Sequence, residues 1–118
     1  MRLPVLCLLV SLSAAAAQAG PYDGRYRPLQ EIGDSWDCKS IGVEGGAILI
    51  TSGAFFTVGS RCALRNPTRV VGMDGTLYDA ICRADAEPWQ RRIMILKTET
   101  GIAVLQKGAH ISYLRRCE

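Results

Sequence analysis

Four groups of residues in this chain have the types and spacing to do chemistry. His110 is the single histidine, so a serine–histidine or cysteine–histidine nucleophile would have to be built around it, with a nearby acid completing a small hydrolase. Its setting, after Gly108-Ala109 and on one face with Ser112 and Leu114, reads as the rim of a strand rather than as a general base. Asp34 and Asp37 flank Trp36, and Asp85 and Glu87 stand just before Trp89. Glycoside chemistry needs two carboxyl groups about 5 to 9 Å apart across a cleft, one of them with a raised pKa. Acids in turns are ordinarily solvated, and a chain of this length has little room for a cleft. Phosphate loops, dinucleotide fingerprints, metalloprotease helices, haem-attachment motifs and calcium loops are absent from the sequence. The residues therefore predict no catalytic site, no cofactor and no metal.

The third group is the cysteines, and the N-terminal leader decides how they are read. Met1-Arg2 is a short positive start, an apolar run follows from Leu3 as far as Ala17, and Ala17-Gln18-Ala19 has the small-x-small form of a signal-peptidase site. The run is shorter than the roughly 20 residues that span a bilayer, and no positive stop-transfer flank follows. Residues 1–19 thus read as an export signal cleaved after Ala19, sending the rest of the chain to the periplasm or out of the cell. The short alanine-rich leader points to a Gram-negative bacterium. Cys7 sits inside the apolar core of the leader, and Pro4-Val5-Leu6 lacks the small residue that lipoprotein processing needs. It leaves with the leader.

An odd five cysteines then become an even four: Cys38, Cys62, Cys82 and Cys117. In a small exported chain these predict two disulfides. Three connectivities remain open; Cys38–Cys117 with Cys62–Cys82 nested inside it is favoured, because the outer tie would pin both ends of a closed sheet. Chain-entropy arguments give roughly 3 kcal/mol for the short loop and somewhat over 4 for the long one. Zinc is a poor alternative, since no two cysteines stand at Cys-x-x-Cys spacing.

The elements that must position these residues are short and β-prone. Residues 20–35 hold prolines and glycines without periodicity and are expected as a flexible N-terminal arm. Residues 36–118 are expected as one domain with candidate strands at 47–51, 54–58, 61–64, 68–72, 76–82, 90–97, 102–106 and 110–116. Breakers stand between them at close, regular spacing, with no long helical pattern. That predicts an all-β antiparallel meander, closed into a small barrel or folded into a sandwich. Asp74-Gly75 suits a two-residue type I′ turn, setting Val71 opposite Tyr78. Alternation puts Cys62 and Leu64 inside with Arg61 and Arg65 outside, and Tyr78, Ala80 and Cys82 on one face. Residues 93–96 are apolar on both faces, as expected of a covered central strand or a contact strip.

The fourth group is surface. Loss of Arg2 leaves thirteen basic residues against eleven acidic ones, a net of +2, too mild to imply nucleic acid. Trp89-Gln90-Arg91-Arg92 opens one strand and residues 113–116 close another. Tryptophan and arginine are enriched where proteins bind, and the hairpin near residue 100 is expected to bring Arg91 or Arg92 beside Arg115 or Arg116. Trp89, Arg91, Arg92, Arg115 and Arg116 thus form the candidate patch, suited to an acidic protein or an anionic envelope polymer. The expectation is a monomeric, non-enzymatic binding or inhibitor-type module without a membrane span. An accessory subunit of an envelope complex, docking through residues 93–96, is the alternative. The plan of signal, four cysteines and short strands, with Ser52-Gly53-Ala54 after the strand-like residues 48–50, resembles that of small periplasmic inhibitors such as the C-type lysozyme inhibitors. Those are antiparallel barrels that insert a loop into an enzyme's active site. The likeness is one of plan, and it carries over no site residue.

Overall fold

A computed structural model describes residues 1–4, 20–84 and 88–118. The apolar part of the leader, with Cys7 and Ala17-Gln18-Ala19, lies outside the described residues, as do Asp85 and Glu87. Eight strands follow one another: β1 Gly24–Pro28, β2 Ile48–Thr51, β3 Ala54–Thr57, β4 Ser60–Arg69, β5 Gly75–Arg83, β6 Trp89–Lys97, β7 Gly101–Gln106 and β8 His110–Arg116. A single 3-10 turn, Glu31–Ser35, follows β1. Each strand pairs antiparallel with the next, and β1 pairs antiparallel with β8, closing an up-and-down barrel without an open edge.

Alternation decides what fills the barrel. Inward positions carry Ile48, Ile50, Phe55, Leu64, Ile93, Ile95, Ile102, Val104 and Leu114, all buried. Each such side chain contributes roughly 1.5–3 kcal/mol relative to exposure. Outward positions carry Arg61, Arg65, Arg83 and Arg92, all exposed. Among the described residues no helix is long and apolar enough to cross a membrane.

Both disulfides have the favoured connectivity. Cys62 and Cys82 stand directly opposite each other on β4 and β5, and both are buried. Cys38, in the long connection after β1, joins Cys117 just past β8, with Cα atoms 5.9 Å apart. The outer tie closes a sequence separation of 79 residues and the inner one of 20.

Three expectations need correction. Residues 20–35 are not a flexible arm: they supply β1, which completes the barrel, and Tyr22 and Tyr26 are buried to 1% and 0% exposure. The run at 61–64 and the first two residues of the run at 68–72 belong to one strand, β4, and residues 70–72 lie in the turn that follows. The register of β4 with β5 shifts between Arg65 and Thr68. Asn66, with φ +52°, and Pro67, which has no N–H to donate, form the bulge there. The turn before β5 spans five residues rather than two, because Arg69 pairs with Thr76. The positive φ in it belongs to Gly72. Gly75 lies inside β5, where a Cβ would come within 2.2 Å of Leu96 Cδ2. The two-residue turn with positive φ at both positions is found instead at Ser52-Gly53, between β2 and β3.

One end of the barrel is plugged. Tyr26 donates its hydroxyl to the Tyr22 carbonyl at 2.6 Å, and the Tyr22 and Thr76 hydroxyls share a hydrogen bond at 2.8 Å. Tyr22 also meets Tyr78 edge-on at 6.3 Å. Burial raises the pKa of Tyr26 above the ordinary tyrosine value, against the opposing pull of Arg116. Thr76, the buried polar side chain of the core, is thereby satisfied.

Candidate functional site: the open end of the barrel

The β3–β4 turn, the β7–β8 turn, the end of β5 and the start of β6 all lie opposite the tyrosine plug, and a cavity of about 320 Å³ opens there. Its origin is the size of the inward side chains. Toward the plug these include Tyr22, Tyr26 and Tyr78; toward the mouth they include Thr57, Ser60, Ala80, Cys82 and Ser112 beneath Trp89 and Arg91. Eight strands give an interior that side chains can just fill, so a run of small ones leaves space. The wall is apolar, formed by Phe55, Ile93, Val104 and Leu114 with the Cys62–Cys82 bridge.

The rim carries the polar groups. Trp89 opens β6 opposite Cys82 and is half-buried. Arg91 occupies the next inward position, with its guanidinium 4.5 Å from the centre of the Trp89 ring. Arg91 Nη1 donates to Gln106 Oε1 at 3.2 Å. Stacking on indole and a hydrogen bond to an amide hold this cation at the cavity mouth. Across the opening, the Thr57 and Ser60 hydroxyls are hydrogen-bonded to each other. Arg92 and Lys107 flank Arg91 on the outside.

The expected five-residue patch divides. Trp89 and Arg91 are brought together at the mouth; Arg92, in register with Asp79, faces outward beside them. Arg115 and Arg116 stand at the far end of β8, opposite Gly101 and Tyr26. The β6–β7–β8 register places Arg115 about seven residues down the sheet from Arg91, roughly 20 Å at strand spacing. Their work is structural. Arg115 pairs with Asp34 and donates to the Pro28 carbonyl at 3.3 Å, latching the 3-10 turn to the barrel. Arg116 stacks on Tyr26 at 5.3 Å and reaches the Asp23 carbonyl at 3.5 Å. Two hairpins in succession return β8 to the direction of β6, so the strands' starts share an end but their arginines do not.

The catalytic candidates fare as their surroundings dictate. His110 is exposed beside the β7–β8 turn, in register with Gln106, and has no hydrogen-bond partner among the described residues. Asp34 is engaged with Arg115. Asp37 accepts from the Lys39 and Ser40 amides at 2.7 and 2.9 Å and from the Ser40 hydroxyl. Those bonds, the Ser40 amide first, lower its pKa to about 2. Among the described residues no three histidine, cysteine or acidic side chains group as metal ligands.

Residues 93–96 divide as an alternating strand must. Ile93 and Ile95 are core, while Met94 and Leu96 are half-buried on the outer face. There the register aligns Leu77, Met94, Leu105 and Ile111 in one row, with Leu96, Ala103 and Tyr113 in the next. Gln106 and the inner disulfide wall were not singled out from sequence; strand register alone brings them to the mouth. Ser52-Gly53, the local echo of the inhibitor barrels, is the tight β2–β3 turn at the plugged end. The chain matches no protein-family model, no curated protein and no solved structure.

Proposed function

We propose that the protein is an exported, non-catalytic binding module that receives a ligand in the open end of its barrel. The observation that carries this reading is the apolar cavity of about 320 Å³ with the Trp89–Arg91–Gln106 group on its rim. An apolar pocket with a few convergent polar groups is the common form of a small-ligand site. The two disulfides fit a working place in an oxidising compartment, periplasmic or extracellular. A neutral solvatochromic dye titrated into the oxidised protein is expected to brighten saturably at 1:1. Ala80→Leu, which fills the cavity from β5, is expected to abolish the signal with the melting temperature held or raised. A dye response that survives both Ala80→Leu and Ser112→Leu removes the cavity as the site.

The two apolar rows on the outer face of β5–β8 favour a second reading, an accessory subunit of an envelope complex that docks a protein partner there. Under it, Met94→Lys is expected to release the partner without changing dye binding. A chain that purifies as a monomer and co-purifies with nothing speaks against it.

A further inference from the structure

Resting on the cavity reading above, we infer that the ligand is an amphiphile with one anionic head and a compact apolar body of about a dozen heavy atoms, the head held by Arg91. Size comes from the cavity. A dry cavity of about 150 Å³ accommodates benzene, so one of about 320 Å³ has room for roughly twice that many heavy atoms. Apolar character comes from the wall: Phe55, Ile93, Val104, Leu114 and the Cys62–Cys82 bridge offer no charge to a bound group.

The sign of the head comes from the rim. Arg91 stands at an inward-facing position of β6, two residues above buried Ile93. A guanidinium has five N–H donors; Gln106 takes one, and no other acceptor engages Arg91 among the described residues. The guanidinium lies over the Trp89 face, 4.5 Å from the ring centre, and its N–H groups not taken by Gln106 are available to a carboxylate or phosphate oxygen pair. Lys107 and Arg92 line a neighbouring hollow on the outside of the barrel that shares Arg91, and add positive potential near the mouth. Among the described residues, the Gln106 amide and the Thr57 and Ser60 hydroxyls complete the rim, and Arg91 is the charged side chain of the lining. A cationic head would meet repulsion from Arg91, and an uncharged one would forgo the charge-assisted bond.

The test uses three probes of one chain length: decanoate, decanol and decylamine, titrated by calorimetry or dye displacement into the purified oxidised protein. Decanoate is expected to bind with Kd on the order of 10–100 µM, from ordinary ligand efficiencies. It should exceed decanol about tenfold, the worth of a charge-assisted hydrogen bond, and decylamine by more. Arg91→Gln is expected to erase the preference for decanoate while leaving decanol binding unchanged, Arg91→Lys to keep part of it, and Arg91→Glu to turn it toward decylamine. Raising salt should weaken decanoate and spare decanol. Decanol binding as tightly as decanoate, with Arg91→Gln silent, overturns the anionic head and leaves the cavity reading standing. If the dye binds and no probe displaces it, the anionic amphiphile falls and the cavity reading stands; if the dye itself does not bind, both fall. Decyl phosphate binding more tightly than decanoate assigns the head to the phosphate class and supports the same role for Arg91.

Discussion

The two ends of the barrel are built from the same residue types and do opposite things. At the plugged end, Tyr22 and Tyr26 are buried with their hydroxyls engaged, and Arg115 and Arg116 are spent on Asp34, on carbonyls and on the Tyr26 ring. At the open end, Trp89 is half-buried over a cavity and Arg91 lies across its face, with one hydrogen bond to Gln106. Aromatic-plus-arginine is therefore not itself a binding signature. What separates a latch from a recognition group is the size of the inward side chains around it. At the plugged end large residues close the interior beside Arg116, and Arg115 on the outer face is held by Asp34 and the Pro28 carbonyl; at the open end small residues leave the interior open beside Arg91.

Aromatic truncation should separate the ends most widely. Tyr26→Ala removes a fully buried ring and the hydroxyl bond to Tyr22, and is expected to cost about 3–5 kcal/mol in urea unfolding. Trp89→Ala removes a ring already facing a void and solvent, and is expected to cost about 1–2 kcal/mol while abolishing dye binding. Equal losses would mean that Trp89 packs a filled core, and the contrast between the ends would collapse.

The arginines should separate in the same direction by less. Arg115 is 24% exposed in its side chain and bridges Asp34 and the Pro28 carbonyl. Arg115→Ala is expected to cost about 1 kcal/mol, with most of it gone in an Asp34→Ala background. Arg91→Ala is expected to change stability by less than about 0.5 kcal/mol, as exposed surface changes usually do. Should Arg91 prove as costly to remove as Arg115, it too is a strut.

The sequence made much of this frame readable and lost the rest for identifiable reasons. Close-spaced breakers and alternation indicated an antiparallel all-β fold, and the even cysteine count, once the leader is set aside, indicated its staples. β1 escaped because only Tyr26 of its five residues is buried; a strand that contributes one core side chain shows no alternation. Asn66-Pro67 looked like a strand end because proline cannot donate to a ladder, yet a bulge absorbs it and the strand runs on. Gly75 looked like a turn glycine, when the packing of Leu96 requires it. Trp89 and Arg91 were visible as chemistry, but their neighbours were not. An error about which end of β8 faces Arg91 joined two arginine pairs that the register keeps apart.

The smallest effect expected at the plugged end is set by pH, and it tests how the outer disulfide is seated. Asp37 precedes Cys38 and organises the turn that carries it, by accepting three hydrogen bonds within residues 37–40. Those bonds favour the carboxylate, so its pKa falls to about 2 in the folded chain, against about 3.9 for an unfolded aspartate. A depressed folded value means that the contribution is complete above pH 4 and is lost as pH falls through about 2. Wild type and Asp37→Ala should therefore differ slightly in urea midpoint at pH 6 and converge near pH 2, and carbon NMR of the Asp37 carboxyl should report the low midpoint directly. Reduction of Cys38–Cys117 should return that midpoint toward the ordinary value if the bridge holds the turn in place. A midpoint that stays near 2 after reduction would make the turn self-sufficient, and the disulfide a tie between elements already formed.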